Sequence, residues 1–145
     1  MTYDNRLRTL RHELSLLKLD KTKLKPYQKT MLEFIEGKKN AAQFSIDGTI
    51  CILVRGDLIR GFEHILMRHY CHECEGRITA REILNIGFVL MGRKLSDYEL
   101  NEVGKIGYEI TKNELRLRVI LNKDGILLKV LTHFSSRKVE TGDLS

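Results

Sequence analysis

The chain has 145 residues, of which 42% are hydrophobic and 30% charged, enough for one domain that buries a core without disulfides. That balance excludes a disordered chain, and no uninterrupted apolar run approaches the length of a membrane span. The net charge of +6 favours a polyanionic partner such as nucleic acid.

The amino terminus, Met1 to Arg6, lacks the apolar core of a signal peptide. Three cysteines are an odd number, which fits a reducing compartment better than a disulfide framework. Both observations predict a cytoplasmic protein.

Leu7, Leu10, Leu14 and Leu17 recur at helical spacing, with Asp4 placed to cap them. Pro26 suits a first helical position, and Tyr27, Met31, Phe34 and Ile35 form a second stripe ending at Gly37. Residues 1–40 therefore read as a helical hairpin, closed by the polar linker Lys38-Lys39-Asn40. Phe44 to Ile46 and Ile50 to Val54 flank Asp47-Gly48, a strong hairpin signal. After Arg55-Gly56-Asp57 the period turns helical. Leu58, Phe62, Ile65, Leu66 and His69 share one face, and Arg60, His64 and Arg68 the opposite one. Thr79 and Glu82 make a capping box for the next helix, which Ile78 and Ile83 staple and which runs to Met91.

From Ile106 onward the period is two. Ile106 to Thr111, Leu115 to Leu121 and Ile126 to Phe134 read as three antiparallel strands, with a turn at Asn122 to Gly125. The class is α+β: amino-terminal helices, a small hairpin, and two central helices packed on a carboxyl-terminal antiparallel β-meander. The α+β domain spans 41–138, and 139–145 form a tail.

The turns set a strand register. With Asp124-Gly125 as a two-residue loop, Arg116 stands opposite His133; with Lys112-Asn113 turning the earlier hairpin, Glu109 faces Arg116. Glu109, Arg116 and His133 then form one row on the face opposite Leu117, Val119 and Val130, with Arg118, Lys129 and Ser135 nearby. A shift of two residues would bring Arg118 into the row instead. A carboxylate, a guanidinium and an imidazole suit RNA cleavage by 2′-hydroxyl transesterification. A base takes the 2′ proton, a cation stabilises the phosphorane, and an acid protonates the leaving 5′-oxygen, with no metal required. The same Glu–Arg pair also occurs as an ordinary cross-strand pair on a solvated face.

His64 adds a further imidazole, and Arg60, Arg68 and Lys129 supply cations for phosphates. His69 lies about 140° around the helix from His64, on the apolar face, where packing is its expected role. The two rings can serve one site only if the helix frays before His69. Cys71-His72-Glu73-Cys74 offers half a zinc site with no second pair to complete it, and no βαβ pattern frames it as a redox motif. Neither a metal nor a cofactor is expected.

The run Gly61-Phe62-Glu63-His64-Ile65-Leu66-Met67-Arg68-His69, then Gly76, Ile78 and Thr79, then a helix with Ile83 and Ile86, resembles the phage and polymorphic-toxin nucleases related to barnase. These are grouped with EndoU, RelE and the tRNA-cleaving colicins as the BECR fold. Tyr108-Glu109, Arg118-Val119-Ile120 and the closing Ser135-Ser136-Arg137 are similar to that family's strands, and the resemblance covers residues 43–138. It implies a metal-independent endoribonuclease deployed as a toxin or phage effector, acting on RNA and accompanied by a neutralising protein partner. His64 and His69 match the family's helical histidines, and Arg118, Ser135 and Arg137 its sheet motifs. His133 rests on the strand count alone. The competing reading is a non-catalytic basic domain that binds nucleic acid or a partner protein, as an immunity or adaptor protein does.

Overall fold

The computed structural model describes residues 2–94, 99–100 and 105–139; of the tail expected at 139–145, all but Val139 lies outside the described residues. Helix α1 (Tyr3–Leu16) buries Leu10 and Leu14 on the stripe that the leucine spacing marks. Its cap is Thr2, whose hydroxyl accepts the Asn5 amide, and Asp4 instead adds negative charge to the first turn. A short 3-10 turn (Lys21–Lys23) leads into α2 (Pro26–Ile35), with its proline at the first position. Strands β1 (Ala41–Ile46) and β2 (Thr49–Val54) form the expected hairpin. Asp47 and Gly48 both take positive φ there, as a primed two-residue turn requires.

Helix α3 (Phe62–His69) starts four residues later than its periodicity suggests. Asp57 is the reason: its carboxylate accepts the Ile59 and Arg60 amides at 2.8 and 3.1 Å and closes a tight loop in place of a first helical turn. Leu58 and Arg60 are consequently exposed loop residues. The single helix expected up to Met91 is two, α4 (Ala80–Leu84) and α5 (Ile86–Leu90), broken at Asn85. The Asn85 side chain accepts from Gln28 of α2 at 2.8 Å, and Gly87 packs so closely on α2 that a Cβ there would stand 2.5 Å from the Tyr27 Cβ.

Strands β3 (Glu99–Leu100), β4 (Ile106–Lys112), β5 (Leu115–Asp124) and β6 (Leu127–Ser135) complete a sheet of order β1-β2-β6-β5-β4-β3. The meander β4–β5–β6 is antiparallel, as expected. The hairpin does not stand apart from it: β2 pairs in parallel with β6 at Cys51–Leu128 and Ile52–Lys129, so the α+β fold is built on one mixed sheet. Nor does the core stop at residue 40. Leu10, Met31 and Ile35 belong to the same buried cluster as Leu53, Val119 and Val130. Among the described residues, no helix is long and apolar enough to cross a membrane.

The register differs from the one the turns suggested. Asn113 and Glu114, both at positive φ, make the β4–β5 loop, so Glu109 faces Arg118 and Arg116 faces Thr111. Gly125 and Ile126 make the β5–β6 loop, so Asp124 faces Leu127. Further along, Leu121 pairs with Val130 but Ile120 pairs with Thr132, leaving Leu131 as an extra residue in β6. Such a bulge reverses the in–out alternation. Leu128 and Val130 face the core before it, and His133 and Ser135 face the core after it. His133 is therefore not on the polar face; it is 1% exposed, opposite Val119. The row Glu109–Arg116–His133 is replaced by Glu109–Arg118–Phe134.

Among the described residues, neither ring nitrogen of His133 has a hydrogen-bond partner. Burial pushes its pKa down to about 4, against the pull of Glu82 and with a further small push from His69. The unfolded chain, in which histidine titrates near 6.5, therefore takes up this proton first. Stability is whole above that value and is lost as pH falls toward 4. His133→Leu should raise stability at neutral pH by about 1–3 kcal/mol, the cost of an unpaired buried polar group. It should also flatten the acid loss. Thermal melts across that range check both, and a variant no more stable than wild type at the acid end would contradict the burial argument.

Candidate functional site

Helix α3 is pinned at both ends. At its start, Gly61 donates its N–H to the Leu131 carbonyl at 2.9 Å, so the bulge of β6 holds the helix. Gly61 has φ 92°, and a Cβ on it would stand 3.0 Å from the Val54 and Arg55 carbonyl oxygens, so only glycine fits. At its end, Arg6 of α1 donates Nη1 to the Leu66 carbonyl at 2.9 Å and the Tyr70 carbonyl at 3.0 Å. A guanidinium there satisfies orphan carbonyls and complements the negative end of the helix. The helix thus lies against β6, whose second half extends beyond the residues that pair with β2.

This placement brings the helical histidines together. The His64 and His69 ring centroids are 5.5 Å apart and nearly perpendicular, at 79°. The expectation that they diverge, with His69 packed into the core, is corrected by where the helix stops. His69 is the last helical residue, and its half-buried ring turns back to the Glu75 carbonyl at 2.7 Å. His64 makes the matching contact, from Nδ1 to the Leu58 carbonyl at 2.9 Å. A carbonyl only accepts, so each Nδ1 carries the hydrogen and each Nε2 remains the basic nitrogen. Burial holds the His69 pKa below its ordinary value, with the charges of His64 and Arg68 adding and the Glu75 hydrogen bond opposing.

The His69 ring also lies 5.5 Å from Phe134. Phe134 pairs across the sheet with Arg118, and Arg118 with Glu109. Gly107, beside this row on β4, leaves room for the guanidinium: a Cβ there would stand 3.0 Å from Arg118 Nη2. The site therefore lines up two imidazoles, an aromatic ring, a guanidinium and a carboxylate.

Of the residues expected from sequence, His64, His69, Arg118 and Glu109 join this line. Arg116 and His133 do not. Arg116 is exposed near the sheet's end, its backbone bonded to Ser136. Ser135 and Arg137 have structural work: the Ser135 hydroxyl donates to the Arg77 carbonyl, and Arg137 grips both Glu82 carboxylate oxygens at 2.6 and 2.8 Å. Lys129 is paired with Asp124 at 2.7 Å. Arg60 and Arg68 are exposed just before and within α3.

One site residue had no expectation attached. Phe134 was hidden by the bulge, which no residue type announces. Gly76 was expected only as part of the resembling motif, with no role attached, yet it bonds Ser135 N and Arg137 O at 3.0 and 2.9 Å and takes φ 64°. Cys71 and Cys74 are joined in a disulfide while Cys51 is buried and free, so the odd count concealed one bonded pair. Among the described residues, no group of three or more histidine, cysteine or acidic side chains is placed to hold a metal ion. No protein family, curated protein or solved structure matches the chain.

A Cβ on Gly76 would meet the Phe134 Cβ at 3.0 Å and His69 Nδ1 at 3.3 Å. Gly76→Ala should cost more than about 1 kcal/mol through the positive φ alone. It should also displace the His69 ring. A melt together with the His69 ring resonances tests this, and an unchanged melting temperature and spectrum would show the contact to be slack.

Proposed function

We propose that the chain is a metal-independent endoribonuclease that cleaves RNA by 2′-hydroxyl transesterification, a cytoplasmic toxin or phage effector of the BECR kind. The contact between His64 and His69, each with Nδ1 tied to a carbonyl, carries the proposal. It supplies two basic nitrogens side by side, one for each proton transfer of the reaction.

In this reading His69, kept neutral by burial, takes the 2′-hydroxyl proton through Nε2. The 2′-oxygen attacks phosphorus. Arg118 stabilises the added negative charge on the non-bridging oxygens, with Glu109 opposite it on β4 to orient the guanidinium. His64 in its protonated form gives its proton to the departing 5′-oxygen, leaving a 2′,3′-cyclic phosphate. Phe134 offers a face on which a base can stack. Arg60 and Arg68 extend the attraction along the phosphate backbone, and a neutralising partner follows from the resemblance. A non-catalytic binder would use the same arginines but has no need of paired imidazoles.

His64→Ala and His69→Ala should each lower cleavage by ~100-fold or more, the usual size of a lost acid or base, while RNA affinity changes little. Arg118→Ala should weaken binding as well and flatten the dependence of affinity on salt. The assay is total RNA in excess chelator, read for cyclic-phosphate ends. If wild type leaves RNA intact at every pH from about 5 to 8, where histidine titrates, the nuclease reading fails and the binder remains.

A further inference from the structure

The loop that fixes His69 contains the disulfide. Its neck is the Ile78 N–H bonded to the His69 carbonyl at 2.8 Å, and within it Glu75 O accepts from His69 Nδ1 at 2.7 Å. Cys71 and Cys74 span the segment between these two anchors, closed by the Cys74 N–H to the Cys71 carbonyl at 3.2 Å. Both cysteines are half-buried and the two residues between them are exposed, so a small thiol reaches the bond. Arg6 Nη1, the same nitrogen that caps α3, stands 3.9 Å from Cys74 Sγ. A guanidinium beside a sulfur favours its thiolate.

We propose that Cys71–Cys74 is a reversible thiol–disulfide site whose substrate is a dithiol reductant, and that its state sets how firmly His69 is held. The effect on cleavage rests on the ribonuclease reading; the redox chemistry does not. A thiolate of the reductant attacks Cys71 Sγ. The S–S bond breaks, and Cys74 leaves as a thiolate next to Arg6. The reductant's second thiolate then attacks the mixed disulfide, releasing Cys71 and closing the reductant's own disulfide. The protein gains two electrons and, once both thiolates are protonated, two protons. While Cys74 is a thiolate it competes with the Leu66 and Tyr70 carbonyls for Arg6. The helix end loses part of its cap while the loop loses its cross-link.

The test uses the native full chain, alkylated with iodoacetamide before and after dithiothreitol. Two adducts, on Cys71 and Cys74, should form only after reduction, with buried Cys51 untouched. The amides of Gly76 and Ile78 should exchange about tenfold faster in the reduced protein, as local opening becomes easier, and re-oxidation should restore them. The double variant Cys71→Ser with Cys74→Ser should exchange fast under both conditions. RNA cleavage should fall and recover with the exchange rates. Adducts without reductant, no adducts after it, or exchange that ignores the cysteines would each overturn the proposal. Cleavage absent in both states, with exchange responding as expected, would remove the ribonuclease reading and leave the redox site standing.

Discussion

Leu131 stands as the extra residue in β6, between Val130 opposite Leu121 and Thr132 opposite Ile120, and its carbonyl accepts the Gly61 amide at 2.9 Å. Both consequences matter to the site. The bulge reverses the strand's alternation, so His133 and Ser135 enter the core and Phe134 joins the Arg118 row. The freed carbonyl then anchors the start of α3, which carries His64 and His69. With regular pairing, His133 would face outward. The helix and the strand face are thus brought into register by one residue.

The other end of α3 depends on the amino-terminal helices, which lie outside the resemblance. Arg6 of α1 caps the carbonyls of Leu66 and Tyr70, and Phe34 of α2 packs edge-on against Phe62 at 5.0 Å. Residues 1–40 therefore support the candidate site through the helix rather than forming a separate unit. A second clamp secures the end of β6. Arg137 holds Glu82, and Glu82 also accepts the Thr79 amide in the capping box of α4, so one carboxylate ties a helix start to a strand end. Burial raises the Glu82 pKa, but Arg137 and Thr79 outweigh it and leave the net shift downward. The clamp therefore stays charged at neutral pH.

Much of the fold was legible because it follows from local rules. Asp47-Gly48, Pro26, the leucine stripe of α1 and the Thr79–Glu82 box each declare an element through a mechanism confined to a few residues. The strand register was less legible, since it turned on which of several polar residues take positive φ. Asn113 does so readily, but Glu114 gives no such sign, and Ile126, though apolar, sits at a hairpin tip, 91% exposed. The bulge could not be read at all, because Val130, Leu131 and Thr132 look like uninterrupted strand. That single slip moved His133 to the wrong face. The meeting of His64 and His69 was missed for a different reason: it goes with the helix ending at His69, where the carbonyls are bonded by Arg6, sixty residues away in sequence from Leu66.

Two adjacent imidazoles are held in one tautomer, with Nδ1 protonated and Nε2 free. Long-range nitrogen–proton correlation spectra of the ring nitrogens, recorded above the histidine titration range, measure this directly. His64 and His69 should both show a protonated Nδ1 and an unprotonated Nε2, with through-space contacts between the two rings and from His69 to Phe134. A proton on Nε2 of either ring, or the absence of contact between them, would contradict this arrangement.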